Sequence, residues 1–230
     1  SGLCIPLYRG LPPIQKGTNA MKVEHILPAD IERRSMEIIE EELGDIILPP
    51  DEKAIIKRVV HTTADFDYVR NLRFSPGAVR RGLEALKRGC TIVTDTNMAC
   101  IGISAPGLNK LGAGKVCYMA DSDVAQAARE QGTTRAQASM DKAAKLTGPL
   151  IIAVGNAPTA LLRLKELIES GRINPDLIIA VPVGFVNVVY AKEEIMKAGV
   201  PYITALGRKG GSNVAAAICN ALIYTLTRQS

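Results

Sequence analysis

The segment from Arg58 to Ala78 carries the densest set of reactive side chains in the sequence. It contains His61, one of the two histidines in the chain, followed by the carboxylates Asp65 and Asp67. Apolar residues at helical spacing before His61 predict a helix with this histidine in its last turn, where the negative end of the helix dipole favours an imidazolium. The two carboxylates would add to that bias, and a protonated histidine can act as a general acid. A capping or packing role for His61 fits these residues equally well.

Residues 207–213 form a second candidate site, because they combine glycines with the cations Arg208 and Lys209. They precede an alanine-rich helix, for which Ser212 is the predicted N-cap. Backbone N–H groups of such a loop can bind a phosphate or a carboxylate. A plain strand-to-helix connection also needs glycine for its turn. The loop lacks the Walker A pattern, and residues 107–115 do not match the dinucleotide-binding glycine pattern.

Three further polar residues are candidates for ligand contact. The first is Asn97, for which helix capping and ligand contact fit equally well; at strand spacing its side chain is expected to point to the same side of the sheet as that of Asp95. Asn156 precedes Pro158 at the start of a predicted helix, so helix capping and ligand contact fit it equally well. Arg135 lies at the start of another predicted helix, where the helix dipole disfavours a cation. This small cost suggests a functional reason for the residue, although an ordinary solvated arginine also explains it.

Five short apolar runs predict the strands that position these residues. Each is apolar on both alternations, and helices long enough for right-handed crossovers lie between them. This pattern predicts an α/β fold with a three-layer, doubly wound, mostly parallel five-stranded sheet of flavodoxin-like type, whose ligands bind at the carboxyl ends of the strands. The runs are Cys90–Thr94, Lys115–Met119, Leu150–Val154, Leu177–Val183 and Tyr202–Leu206.

Helices are predicted before the first of these runs. One spans Ala29–Leu43, carries Ser35, and is ended by Gly44. Another ends near Arg88. Residues 1–20 read as an irregular arm or an added leader, and residues 21–230 as a single α/β domain. The inner face of the first helix is expected to comprise Ile31, Met36, Ile38, Ile39 and Leu43.

Composition limits the possible functions. The chain has 230 residues, 47% of them hydrophobic, and a net charge of +5, which favours an acidic small molecule over nucleic acid as partner. Aromatic residues make up 4% with no Trp, so a base-stacking surface is poorly supplied. The five cysteines form no C-x-x-C pair and are expected to be reduced core residues of a cytoplasmic protein without a metal site. No signal peptide or membrane-spanning run is evident.

Several longer strings resemble the signature of the precorrin-8X methylmutase family. The first is H-T-T-A-D-F-D-Y from His61, followed by F-S-P-G-A. The resemblance continues through T-D-T-N-M-A-C-I-G-I from Thr94, G-N-A-P-T-A-L from Gly155, P-V-G-F-V from Pro182 and G-R-K-G-G-S-N-V-A-A-A from Gly207. It covers nearly everything after Ala29.

This resemblance implies an isomerase of cobalamin biosynthesis. The family moves a methyl group from carbon eleven to carbon twelve of precorrin-8 or cobalt-precorrin-8, giving hydrobyrinic or cobyrinic acid, and needs no cofactor. It implies an anionic tetrapyrrole substrate and a homodimer with its pockets near the subunit interface. His61 would be the proton donor. The expected substrate-binding residues are Ser35, Thr94, Asn97, Met98, Arg135, Asn156, Gly184, Phe185, Gly211 and Ser212.

Two other classes of function are compatible with the same motifs. A nucleotide- or phosphate-utilising enzyme of flavodoxin-like fold would use residues 207–213 to bind phosphate. A non-catalytic tetrapyrrole carrier would share the pocket without turnover. Fold alone does not decide between these and the isomerase.

Overall fold

The computed structural model describes Leu27 and residues 30–228. The predicted arm over residues 1–20, Cys4, His25 and the predicted helix start at Ala29 lie outside these residues. In chain order the elements are α1 (Ile31–Leu43), α2 (Pro50–Thr63), α3 (Tyr68–Asn71), β1 (Leu72–Phe74), α4 (Ala78–Lys87), β2 (Thr91–Thr94), α5 (Asn97–Gly102), α6 (Ala105–Lys110), β3 (Gly114–Cys117), α7 (Ser122–Gln131), α8 (Arg135–Ala143), β4 (Leu150–Val154), α9 (Pro158–Glu169), β5 (Leu177–Ala180), α10 (Val188–Ile195), β6 (Tyr202–Ala205) and α11 (Ser212–Thr227).

The sheet has six strands in the order β1-β6-β5-β4-β2-β3. The five predicted strands are all present and parallel, in the order of a flavodoxin-like fold. The sixth strand, β1, was not predicted. It pairs antiparallel with β6 at one edge, with Leu72 opposite Ala205. Three residues with Arg73 at the centre are too short and too polar to be recognised as a strand from sequence.

Both faces of the sheet are covered, which confirms the predicted three layers. Along β4, Ile151 and Ala153 pack in one core with residues of α2, α4 and α11. Ile152 and Val154 pack in a second core with residues of α8, α9 and α10. Because side chains alternate along a strand, a strand covered on both faces must be apolar throughout. Starting from β2, the chain adds β3 on one side and β4 on the other. The carboxyl ends of β2 and β4 therefore form the switch point where ligands of such folds bind.

Helices α2 and α11 pack against each other and carry the candidate residues at their ends. Near one end of the contact, the Arg58 guanidinium lies 5.2 Å from the centre of the Tyr224 ring. Near the other end, α2 finishes close to the loop that leads into α11. The apolar face of α2 is formed by Ile55, Ile56, Val59 and Val60, as predicted from their spacing.

Helix α1 departs from the sequence prediction in its apolar face. Ile39 and Leu43 are buried, and Gly44 ends the helix with a φ of 53°, as expected. Ile31 and Ile38, however, are 52% and 37% exposed rather than inward-facing. Helix α1 packs mainly against α2, and within the described residues part of its apolar side stays uncovered.

The cysteines lie partly in the core. Cys90 and Cys219 are buried, and Cys100 and Cys117 are half-buried, all four as free thiols. Burial raises the pKa of Cys90 to about 12, so its thiol stays protonated and unreactive. Within residues 30–228, no helix combines the length and apolarity needed to cross a bilayer.

Candidate active site

His61 lies in the last turn of α2, as predicted. The helix ends at Ala64, which adopts a left-handed conformation with a φ of 52° and donates its N–H to the carbonyl of Val60 at 2.7 Å. This end of α2 forms one wall of a cleft of about 410 Å³, the other wall being α1. The His61 cleft is lined by Ser35, Ile38, Ile39, Glu42, Val60, His61, Ala64 and Phe66.

Ser35 and His61 therefore share one cleft, although the sequence separates them by a helix and a loop. The Ser35 hydroxyl donates to the carbonyl of Ile31 at 2.9 Å and keeps its own acceptor capacity. The His61 ring is half-buried, and no described residue forms a hydrogen bond with it. The ring is thus available for a hydrogen bond to a ligand in the cleft.

Asp65 and Asp67, the two carboxylates that follow His61 in the sequence, pair with a lysine. Both bind the ammonium of Lys209, whose Nζ is 2.6 Å from Asp65 Oδ2 and 2.5 Å from Asp67 Oδ2. This ammonium holds the pKa of Asp67 below its usual value, and the two carboxylates raise the pKa of Lys209. Lys209 is consequently engaged within the protein, whereas the sequence analysis placed it among the cations that face a ligand.

Asp95 is a buried residue at the switch point that the sequence analysis did not propose as a site residue. It is 1% exposed. Its Oδ1 accepts the N–H of Gly155 at 2.8 Å, and its Oδ2 accepts those of Asn156 and Ala157 at 2.8 and 2.6 Å. Burial raises the pKa of Asp95, while the three N–H donors act in the opposite direction. The feature of the sequence that could have indicated this role is the position of an acidic residue directly after a buried strand.

This network corrects two sequence predictions. Asn156 does not cap α9, because the N-cap is Ala157 and no side chain caps the first turn; the Asp95 carboxylate instead holds the preceding loop through the N–H groups of Asn156 and Ala157. Asp95 and Asn97 do not point to the same side, because β2 ends at Thr94 and Asn97 already begins α5. The side chains of Asn156 and Asn97 are both exposed.

Thr94 and Met98 differ in their access to a ligand. Thr94 is buried, and its hydroxyl donates to the carbonyl of Thr96 at 3.0 Å. Met98 is 70% exposed on the first turn of α5. Between them, the Thr96 side chain caps α5 by accepting the N–H of Ala99.

The start of α11 is held against the carboxyl ends of β2 and β4. The hydroxyls of Thr96 and Ser212 are 2.7 Å apart. Ser212 is the first residue of α11 and Gly211 is its N-cap, so the prediction of Ser212 as N-cap is wrong. A Cβ on Gly155 would lie 2.7 Å from the Ser212 Cα, so the two backbones can approach this closely only with glycine at position 155.

The loops after β5 and β6 are joined in the same region. Gly184 donates its N–H to the carbonyl of Arg208 at 3.1 Å, and Gly211 donates to Val181 at 2.8 Å. The Arg208 guanidinium lies 5.1 Å from the centre of the Phe185 ring, which is 81% exposed. We use the term rim for residues 94–98, 155–158, 181–186 and 207–213, which follow β2, β4, β5 and β6.

Arg135 lies beside this rim, on the first turn of α8. Thr134 caps α8 in a reciprocal arrangement with Gln137, and its hydroxyl is 3.2 Å from that of Thr159 on α9. Arg135 is therefore close to the loop that carries Asn156. Its side chain is exposed, and no described residue forms an ion pair with it.

Lys192 on α10 is a second buried residue that sequence reasoning missed. It is 1% exposed, and its Nζ donates to the carbonyls of Gly207 and Lys209 at 2.9 and 2.8 Å. Burial lowers its pKa to about 8. Nothing in the pattern of α10 distinguishes this lysine from an ordinary solvated one.

The fold and the site suit an α/β enzyme of a small-molecule substrate, with a histidine in a largely apolar cleft and a rim of amides, hydroxyls and cations at the carboxyl ends of the strands. The sequence profile described as precorrin-8X methylmutase matches residues 30–225. The chain belongs to the precorrin-8X methylmutase family, the methyl-shifting isomerases of cobalamin biosynthesis.

Individual relatives agree with this assignment. The chain is 43% identical over 197 residues to the cobalt-precorrin-8 methylmutase of Priestia megaterium, covering 86% of this chain and 88% of that protein. It is 36% identical to the precorrin-8X methylmutase of Pseudomonas aeruginosa, covering 84% and 93%. A solved structure of the precorrin-8x methyl mutase from Thermus thermophilus superposes with a TM-score of 0.77 at 41% identity, covering 84% and 96%.

Proposed function

We propose that this protein moves a methyl group from carbon eleven to carbon twelve of precorrin-8 or cobalt-precorrin-8, giving hydrobyrinic or cobyrinic acid. The observation that carries the proposal is the cleft shared by Ser35 and His61. It brings together, from separate helices, two residues for which the family resemblance implies a role at the substrate. Membership of the family favours this isomerisation over phosphate chemistry and over a carrier without turnover.

His61 is the proposed proton donor. An isomerisation adds and removes no atoms or electrons overall, so the protein must only hold the macrocycle and supply a proton or a hydrogen bond. His61 bonds to a ring nitrogen or protonates the conjugated system, the methyl group migrates with its bonding electron pair, and the same histidine takes the proton back. The apolar cleft walls strengthen that hydrogen bond by excluding water. Ser35 orients the bound macrocycle from the opposite helix.

The remaining proposed contacts divide by chemistry. The carboxylates of the tetrapyrrole bind Arg135 and Arg208, both exposed and able to form charge-assisted hydrogen bonds. The apolar macrocycle packs on Met98 and Phe185, which are 70% and 81% exposed. Amides and hydroxyls of Asn97, Asn156 and Ser212, with the backbone at Gly184, Gly211 and Thr94, complete the binding surface.

We also infer that the protein works as a cytoplasmic homodimer formed by a single domain over residues 21–230. The rim and its neighbouring helices leave a group of large apolar side chains exposed, and such patches are uncommon on monomers. A two-fold contact would cover part of this group and bring the rim close to the interface. Light scattering at micromolar concentration tests the dimer, with a monomer as the contradicting result. The exposed residues are Met98, Ile101, Val183, Phe185, Val186, Val189 and Tyr190.

Incubation with precorrin-8, with and without bound cobalt, tests the proposed reaction. We expect the absorbance spectrum to change to that of hydrobyrinic or cobyrinic acid, with a rate proportional to protein concentration. A protein that binds the pigment without converting it would be a carrier. Thermal stabilisation by nucleotides without any effect of the tetrapyrrole would favour phosphate chemistry instead.

A further inference from the structure

The buried ammonium of Lys192 has no counter-ion. Its two hydrogen-bond partners are neutral carbonyls, and no acidic side chain within residues 30–228 forms a salt bridge with it. Removing a charge from water without an opposite charge nearby is costly. The loop that accepts its hydrogen bonds separates this ammonium from solvent, so an anion on the outer side of that loop would supply the missing charge.

The loop orients its peptide groups accordingly. The carbonyls of Gly207 and Lys209 both point inward to Lys192, and every peptide bond of the described chain is trans. In a planar trans peptide the N–H points opposite to the carbonyl. The N–H groups of Arg208 and Gly210 therefore point away from Lys192, to the outer side of the loop.

Neither of these two N–H groups has an acceptor in the part of the chain that the structure describes. Other contacts keep the loop in this form. The Arg208 carbonyl accepts the N–H of Gly184, and a Cβ on Gly210 would lie 2.1 Å from the Val181 oxygen, so the backbone is pressed against the end of β5. Two free donors on a fixed loop, with a positive charge behind them, suit one anion.

We propose that residues 207–210 form a cradle for one carboxylate of the substrate, in which the N–H groups of Arg208 and Gly210 bind the carboxylate oxygens. Lys192 is a positioning residue that orients both peptides and supplies charge from behind the loop. The proposal rests on the proposed function, because it takes the tetrapyrrole carboxylates as the ligand. The exposed Arg208 guanidinium lies on the same loop and adds a further donor.

The first test compares two ligands on the unaltered protein. Hydrobyrinic acid and its fully methyl-esterified form are titrated into ¹⁵N-labelled protein, and the backbone amide resonances are followed by NMR. We expect the amide protons of Arg208 and Gly210 to move downfield with the acid and not with the ester. Unmoved resonances with the acid, or equal movement with both ligands, would overturn the cradle.

The second test removes the ammonium with Lys192→Met. We expect the dissociation constant of hydrobyrinic acid to rise about 10- to 100-fold while that of the ester stays the same. In turnover, KM should rise far more than kcat falls, which a general loss of packing would not produce. Lys197→Met, two residues after the same helix, is the matched control, because Lys197 is 66% exposed and pairs only with Glu194 among the described residues.

The outcomes separate this proposal from the proposed function. A Lys192→Met protein that keeps the native preference for acid over ester contradicts the cradle even where the native enzyme isomerises precorrin-8. A native protein that does not isomerise precorrin-8, but shows the acid-specific shifts at Arg208 and Gly210, contradicts the function and keeps the cradle. Should Lys192→Met fail to fold, the NMR comparison on native protein decides alone.

Discussion

The Nζ of Lys209 lies 2.6 Å from Oδ2 of Asp65, a residue 144 positions earlier in the chain. Lys209 belongs to the loop that leads into α11, and Asp65 to the turn that follows the helix of His61. The ion pair, completed by Asp67, therefore fixes the rim relative to the His61 cleft. A ligand that contacts both regions meets them at a set separation.

Breaking this ion pair by Lys209→Met should lower the thermal stability moderately between pH 5 and 9, because the two carboxylates lose their cation. The folded-state pKa of Asp67 is lowered by Lys209, so the associated stability is present above the pKa of an unfolded aspartate, about 3.9. It is lost as pH falls through the folded-state value. The difference in melting temperature between native and Lys209→Met protein should therefore close in strong acid.

Thermal unfolding at a series of pH values measures this difference. Lys145→Met is the control, because Lys145 is exposed and pairs with no described residue. A gap between native and Lys209→Met protein that persisted unchanged at pH 2 would show that the loss comes from packing of the lysine side chain.

Replacing His61 by Asn should reduce kcat by roughly 100- to 10,000-fold, the usual range for a positioned acid or base. Product affinity should change much less, since most contacts of so large a ligand come from the pocket walls. Single-turnover absorbance and equilibrium titration separate the two quantities. Thr62→Ala is the control on the same helical turn, where the exposed hydroxyl bonds only the Arg58 carbonyl. Near-native turnover by a folded His61→Asn protein would eliminate the proposed mechanism.

Replacing Arg135 by Ala should weaken product binding by about 1.5 to 3 kcal/mol, the contribution of a hydrogen bond to a charged group. Arg135→Lys should restore only part of it, because a point charge replaces a planar fork of donors. Titration calorimetry gives the affinities. Arg129→Ala on the neighbouring α7 is the control, being exposed and outside the rim. Equal product affinity in Arg135→Ala and native protein would show that Arg135 is an ordinary solvated arginine that does not contact the ligand.

Replacing Asp95 by Asn should lower the free energy of unfolding by about 2 to 4 kcal/mol, since one oxygen becomes an amide group facing N–H donors. The β4–α9 loop should loosen, and product binding through Asn156 should weaken with it. Urea-induced unfolding measures the stability. Asp45→Asn, at an exposed position, controls for loss of a negative charge. An unchanged urea midpoint would mean that the three hydrogen bonds add nothing to stability.

Sequence alone predicts the parts of this fold that depend on local pattern. Strands covered on both faces must be apolar throughout, which is why β4 and β5 were recognisable. Gly44 and the last turn of α2 follow from helix-end chemistry, so the position of His61 on its helix was also predictable. β1 was missed because its partner β6, about 130 residues away, stabilises a segment with no strand pattern of its own.

The site was less predictable, because its geometry depends on distant partners. The Ser212 hydroxyl is bonded to Thr96, 116 residues earlier, and the N-cap of its helix is Gly211. The ammonium of Lys209 binds two carboxylates, and that of Lys192 donates hydrogen bonds to two carbonyls. No local sequence pattern predicts either set of partners. The substrate-binding role of the ten residues expected from the family resemblance stays a prediction.

The antiparallel pairing of β1 with β6 has a consequence for how the molecule assembles during synthesis. His61 leaves the ribosome about 150 residues before α11, yet the helix that carries it packs its apolar face against α11, and the strand that follows it completes its hydrogen bonds on β6. Contacts between such distant segments slow folding and form late. We expect the growing polypeptide to leave the part of α2 that packs on α11 exposed until translation reaches α11, and chaperones to meet the nascent chain at this helix.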